Sequence, residues 1–250
     1  MTAIECIKWF ASDERLIQMG IGGKVSAHLN KQKIVFLGAT GAVGSVAFDR
    51  ILRFSEVIDV LSLGRRAIDV KKSIAKVKSR VIDIHDVNTY SALINGYTTA
   101  ICTLGVGEPS KLSKTEFVKI DRSAVLAFAK VCKSKGVKHF QLLSSVGVNK
   151  KSRNFYLRTK GELIDKLIQL DFERLSIFQP SMILTPQNRY GLTQALTLMV
   201  WPKLDFLLRG ELRQYRGIKV ELLGNAIANN LLLAKRGIEY LQYDEFMSLQ

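Results

Sequence analysis

The stretch from Lys33 to Gly44 constrains the fold more than any other part of the chain. Ile34, Val35, Phe36 and Leu37 form an unbroken apolar run, followed at once by Gly38-Ala39-Thr40-Gly41-Ala42-Val43-Gly44. Four consecutive apolar residues closed by glycine fit a strand buried on both faces of a parallel sheet. Each glycine then has a use: Gly38 permits a tight turn off the strand, Gly41 lets backbone approach a pyrophosphate, and Gly44 lets the next helix pack on the strand. The helix that starts here offers unpaired N–H groups and the positive end of its dipole to phosphate. Gly38, Ala39, Thr40, Gly41, Ala42, Val43 and Gly44 are therefore candidate nucleotide-binding residues. An ordinary strand-to-helix turn also uses glycine, so the reading needs support from residues downstream.

That support begins with the next segment. Val46, Ala47, Ile51, Leu52 and Phe54 recur at helical spacing, and residues 57–63 read as a second strand, which completes a βαβ unit. The strand runs into Gly64-Arg65-Arg66. An NAD-preferring site places an acid there for the adenosine ribose hydroxyls. Two guanidinium forks stand there instead, and they match the geometry of a phosphate, so Arg65 and Arg66 point to the 2′-phosphate of NADP. The competing reading is two more surface cations in a basic chain. A short third strand is expected at residues 81–84, with Asp83 in reach of an adenine amino group and Asp86 capping the next helix. Both acids also make sense as purely structural groups. A fourth strand at residues 99–104 leads into Gly105-Val106-Gly107, where Leu104 and Gly105 would let backbone pass close to a cofactor ribose.

A long amphipathic helix is expected over residues 113–135, stopped by Gly136. A fifth strand at residues 140–143 delivers Ser144 and Ser145 to the ligand-facing edge, and Tyr156-Leu157-Arg158-Thr159-Lys160 opens the following helix. Residues four apart share a helix face, so the Lys160 ammonium stands beside the Tyr156 phenol. A free phenol has a pKa of about 10, too high for proton exchange at neutral pH, and a nearby cation favours the phenolate. Ser144 or Ser145 can hydrogen-bond a substrate oxygen whose charge changes during hydride transfer. Tyr215 and Lys219 repeat the spacing, but Gly217 lies between them and no serine-bearing strand precedes them, so this copy is read as a decoy. A sixth strand at residues 174–179 closes at Pro180. The helix at residues 220–233 and the tail at residues 238–249 are expected to finish the sheet.

The expected architecture is one doubly wound, parallel α/β domain over residues 33–250, with residues 1–32 as an extension. In the apolar stretch after Pro180, Leu196, Met199, Val200, Phe206 and Leu207 fit lid and core packing better than an apolar pocket lining or a peripheral membrane contact. The formal charge of +15 is spread along the chain without a nucleic-acid motif, so it is read as a solvated basic surface and no nucleic-acid partner is expected. Cys6, Cys102 and Cys132 are odd in number and widely spaced, which suggests neither disulfides nor a metal site and fits a reducing cytoplasm. No run is apolar enough to span a bilayer, and the start lacks the pattern of a signal peptide. The expected partner is a small-molecule substrate, with a homodimer allowed.

Together these motifs resemble the short-chain dehydrogenase/reductase superfamily, in particular its atypical members similar to the Tat-interactive-protein oxidoreductases. The likeness covers residues 33 to about 239. It rests on the Gly38–Gly44 turn, Leu63-Gly64-Arg65-Arg66, Asp121-Arg122, Lys138-His139-Phe140, Leu142-Leu143-Ser144-Ser145 and Tyr156 to Lys160 followed by Gly161-Glu162. The resemblance implies that Tyr156 exchanges the proton, Lys160 binds the nicotinamide ribose, Arg65 and Arg66 select NADP, and residues from about 180 to 218 form a small substrate lobe. Many members carry an Asn on the helix before the serine strand, whereas Asp121 stands nearby here. Two other functions compete: a protein that senses the nucleotide or binds a partner without turnover, and a nucleotide-sugar epimerase. Retention of Tyr156 and Lys160 speaks against the first, and the short stretch after Pro180 against the second.

Overall fold

A computed structural model of the chain describes residues 31–68, 76–107, 111–185 and 208–250. The extension expected at residues 1–32 falls outside these apart from Lys31 and Gln32, as do Leu196, Met199, Val200, Phe206 and Leu207. Seven strands form one parallel sheet: β1 (Gln32–Leu37), β2 (Val57–Gly64), β3 (Val77–Val81), β4 (Thr99–Cys102), β5 (His139–Leu143), β6 (Arg174–Phe178) and β9 (Gly237–Leu241), in the order β3-β2-β1-β4-β5-β6-β9. A separate two-stranded ladder pairs β7 (Ile183–Leu184) with β8 (Ile218–Lys219). The order reverses direction between β1 and β4, and such a switch point opens a crevice at the carboxyl ends of the strands.

Burial explains why the apolar runs make strands. Val35 and Leu37 face a core with Phe128 and Cys132 of α3 (Val125–Ser134) and Leu163 and Leu167 of α4 (Phe155–Ile168). Ile34 and Phe36 face the opposite core, with Ala47 and Ile51 of α1 (Ala42–Ile51), Leu223 and Ile227 of α5 (Val220–Asn230) and Phe246 of α6 (Tyr243–Ser248). Both faces of β1 are therefore dry, as its unbroken apolar run requires, and each large side chain so buried contributes roughly 1.5–3 kcal/mol.

Register aligns the strand ends that matter. Leu37 lies opposite Leu63 on one side and Cys102 on the other, and Cys102 opposite Leu142. Gly38, Gly64, Thr103 and Leu143, the residues that follow them, thus lie level at one edge of the sheet. The third strand differs from expectation: it spans Val77–Val81, not residues 81–84. β2 ends at Gly64, which pairs with Val81, and after the Ile82 N–H reaches the Gly64 carbonyl at 3.0 Å β2 offers no further residue to pair with. Ile82 and Ile84 are buried but lie past the strand. The fourth strand likewise stops at Cys102, where β1 ends, although the Thr103 N–H still reaches the Leu37 carbonyl at 2.9 Å. The long helix over residues 113–135 is interrupted: α2 (Lys114–Val118) passes into a π-helical turn at Lys119–Ala124 before α3 begins. Gly136 follows at φ +82°, the left-handed stop expected of it.

Candidate active site

The glycine turn is held by close packing. Gly38 sits at φ +97°, and a Cβ there would lie 2.8 Å from the Leu104 nitrogen. A Cβ on Gly44 would lie 2.2 Å from the Gly38 carbonyl oxygen, so the helix can approach the strand only without one. The Thr103 hydroxyl donates to that same carbonyl at 3.0 Å and fixes the turn from beneath. Gly41 is the extended N-cap of α1 and offers no side-chain acceptor, which leaves the first-turn N–H groups to an outside anion. Thr40 and Gly41 are exposed, whereas Ala39 and Val43 are buried beneath them; Ala42 is partly buried. This cradle fits a dinucleotide pyrophosphate.

Arg65 and Arg66 are exposed immediately beyond the end of β2, at the edge that carries Gly38, and neither forms an ion pair among the described residues. Asp83 is also exposed, but its Oδ1 accepts the His85 N–H at 2.8 Å and so closes a local turn. Asp86 accepts from the Asn88 N–H and caps a short 3-10 turn, as expected. Leu104 and Gly105 lie in the loop after β4, Leu104 partly buried and Gly105 exposed.

Asn154 opens α4 by accepting the Leu157 N–H at 3.2 Å, which puts Tyr156 in the first turn and Lys160 one turn below. The Lys160 Nζ lies 5.4 Å from the Tyr156 ring centroid, and the Phe117 ring lies 5.5 Å from that ring. Tyr156 is partly exposed, whereas Lys160 is buried. Lys160 Nζ donates to Asp121 Oδ1 at 2.8 Å, and Asp121 Oδ2 accepts the Val106 N–H at 2.8 Å. Burial lowers the Lys160 pKa, but the Tyr156 phenol and the Asp121 carboxylate outweigh it, and the ammonium is held above the ordinary lysine value.

The two serines diverge. Ser144 is buried, its N–H donates to the Phe178 carbonyl at 2.7 Å, and its Oγ has no partner among the described residues. Ser145 is partly exposed, and its Oγ makes only a long 3.4 Å contact with the Val146 carbonyl. Ser145 is thus the serine open to a substrate oxygen. Tyr215 lies in a 3-10 turn at Gly210–Tyr215 and Lys219 in β8, so the second copy of the motif shares no helix face. Cys102 and Cys132 are buried and free, and burial raises the Cys102 thiol to about 12, which suits core packing rather than nucleophilic chemistry. Two contributors are not among the site residues expected from the sequence. Asp121 appears there only as a family motif, and Thr103 not at all; its one sequence signal is a hydroxyl at the strand end facing the glycine turn.

A sequence model of a family described as NAD(P)H-binding matches residues 38–172, more than half of the chain. The chain belongs to that family. It is 34% identical over 157 residues to the Rattus norvegicus protein HTATIP2, a match covering 62% of this chain and 64% of the rat protein. It is 31% identical over 182 residues to the Candida albicans protein FMP52, mitochondrial, covering 68% of this chain and 77% of that one. Among solved structures, MoeE5 in complex with UDP-glucuronic acid and NAD superposes with a TM-score of 0.65 at 15% identity, covering 84% of this chain and 75% of that one. The Helicobacter pylori ADP-L-glycero-D-manno-heptose-6-epimerase gives 0.61 at 14% identity, covering 90% and 82%. At such identities these two show the shared Rossmann fold. No helix among the described residues is long and apolar enough to cross a membrane.

Proposed function

We propose that this NAD(P)H-binding protein is an NADP-dependent oxidoreductase acting on a carbonyl or alcohol of a small molecule. The observation that carries the reading is the meeting, at the switch-point edge, of a glycine cradle with a partly exposed phenol and a buried, charged lysine 5.4 Å from its ring. When bound, the nucleotide supplies or takes up the hydride. The chain does the rest. The α1 N-terminus receives the pyrophosphate, Arg65 and Arg66 meet the 2′-phosphate, and Lys160 hydrogen-bonds the nicotinamide ribose. Tyr156 gives or takes the proton at the substrate oxygen, and the Ser145 hydroxyl orients that oxygen. The exposure of the two arginines without carboxylate partners among the described residues supports the phosphate over a hydroxyl pair.

The test is a fluorescence titration of the full chain with NADPH and NADH. NADPH should bind about tenfold or more tightly, a difference of about 1.4 kcal/mol. Arg65→Asp should shrink that preference while leaving NADH affinity within about twofold. Equal affinities in the unchanged chain would overturn the NADP assignment. For location, the sequence reading is the cytoplasm, whereas the fungal relatives are named mitochondrial. Imaging the tagged full chain in its own cells separates the two.

A further inference from the structure

Lys160 is buried beside a carboxylate that neither composition nor spacing marks out. A buried ammonium is costly unless paired and hydrogen-bonded. The groups facing it are few: Tyr156 from its own helix, Asp121 from the π-helical turn, and the Cys102 thiol from β4. Arg122, next to Asp121, is engaged with Glu162 and so does not compete for this carboxylate. The Asp121 side chain is only 1% exposed, and both its oxygens are used, one by Lys160 Nζ and the other by the Val106 N–H. Gly105 covers the pair: a Cβ there would lie 3.4 Å from Asp121 Oδ1 and 4.0 Å from Lys160 Nζ. The helix widens into a π turn where Asp121 sits. Each residue of an α-helix is rotated by about 100° from the last, so the widened turn resets the direction of the side chains that it carries. Such turns recur at functional positions.

We propose that Asp121 is the positioning residue of this site, tying the Lys160 ammonium and the Gly105-Val106 loop to one carboxylate so that both are presented together to a nucleotide ribose. The role for the ribose rests on the function proposed above; the tie itself does not. A pair that only joined two helices would have no need of the loop. Here the second oxygen spends its hydrogen bond on the backbone at the strand edge where ligands bind. Removing the charge while keeping the shape should therefore change Lys160 and nucleotide binding together.

The experiment uses the full chain with 13Cε-labelled lysine, followed by NMR against pH, the Lys160 signal being assigned by its loss in Lys160→Met. In the unchanged chain Lys160 should titrate above the ordinary lysine range, and in Asp121→Asn its midpoint should fall by about one pH unit or more. NADPH affinity should drop about tenfold in Asp121→Asn. Combined with Lys160→Met, the Asn substitution should add little to the loss that Lys160→Met alone produces, because it acts through the lysine. An unmoved Lys160 midpoint, or losses that simply add, would overturn the proposal. If Asp121→Asn does not fold, Tyr156→Phe removes the other strong group that raises Lys160: a Lys160 midpoint still above the ordinary lysine value in that variant supports the tie, and one at or below it refutes the tie. Failure of the unchanged chain to bind either nucleotide would sink the proposed function, while the NMR comparison would still judge Asp121.

Discussion

Tyr156 is set apart by its neighbours: the Phe117 ring lies 5.5 Å to one side of it and the Lys160 ammonium 5.4 Å from its centroid. These contacts are made by the ring, so Tyr156→Phe removes the hydroxyl and little else. With any carbonyl or alcohol found to turn over, that variant should lose at least about a hundredfold in kcat, the usual worth of a positioned proton donor. Its NADPH affinity should stay within about twofold, and Tyr215→Phe should leave both unchanged. The serines give a second comparison at the same scale. Ser145→Ala should lower kcat, because its hydroxyl is the open one, whereas Ser144→Ala removes a buried oxygen without a partner and should leave stability unchanged or slightly higher. A profile in which Ser144→Ala loses turnover and Ser145→Ala does not would reverse the assignment.

At the level of elements, the starts of β5, β6 and β9 carry a buried polar belt far from the glycine turn. His139 shares a 2.8 Å hydrogen bond with Ser176, and Arg174 pairs with Glu239 at 2.7 Å while donating to Asn230 at 3.0 Å. Burial, reinforced by the Arg174 charge, lowers the His139 pKa to about 3. Burial would raise Glu239, but its bonds to Ser176 and Arg174 prevail and bring it to about 2. Both folded values lie below the unfolded ones, so between the two values the unfolded chain binds more protons and stability falls as pH falls. For His139 the loss runs from about pH 6.5 downward to about 3, at up to about 1.4 kcal/mol per pH unit. Thermal melts from pH 7 to pH 4.5 should show a declining midpoint, and His139→Gln, which can still bond Ser176, should flatten that decline. An unchanged slope in the variant would show that His139 is not the group responsible. The same elements show what a sequence reveals. β1 was legible because burial on both faces leaves an unbroken apolar run, β2 and β5 because apolar residues outnumber the polar Asp59, Ser62 and Gln141 within them, and Tyr156 with Lys160 because their contact is local to one helix. β3 was misplaced because Lys78 and Arg80 alternate along an edge strand, while the buried pair Ile82 and Ile84 imitated one. The π turn and Asp121 were illegible in position because their partner, Lys160, is 39 residues away, and no local pattern records so distant a contact.

For the whole molecule, the question is how much chain the seven-stranded sheet requires. Its first strand begins at Gln32, whose N–H reaches the Glu56 carbonyl at 2.7 Å and whose side-chain amide reaches the Leu231 carbonyl at 2.9 Å. Lys33 follows with a 3.3 Å bond from its N–H to the Thr98 hydroxyl. Among the described residues, which begin at Lys31, the sheet, both apolar cores, the glycine cradle and the Tyr156–Lys160–Asp121 cluster make these contacts with one another. A chain beginning at Lys31 keeps every one of these contacts. It should fold cooperatively, melt within a few degrees of the full chain and bind NADPH with unchanged affinity, since truncation is tolerated where few backbone contacts are lost. A chain beginning at Ile34 should fare worse, because it forfeits the bonds of Gln32 and Lys33 to three different segments, each worth about 1 kcal/mol. The competing expectation comes from Ile4, Ile7, Trp9 and Phe10, which carry enough apolar surface to stabilise the domain by several kcal/mol at roughly 25 cal/mol per Å2 if they pack on it. In that case the chain from Lys31 would aggregate or melt clearly lower, and the first thirty residues would count as part of the domain and not as an extension.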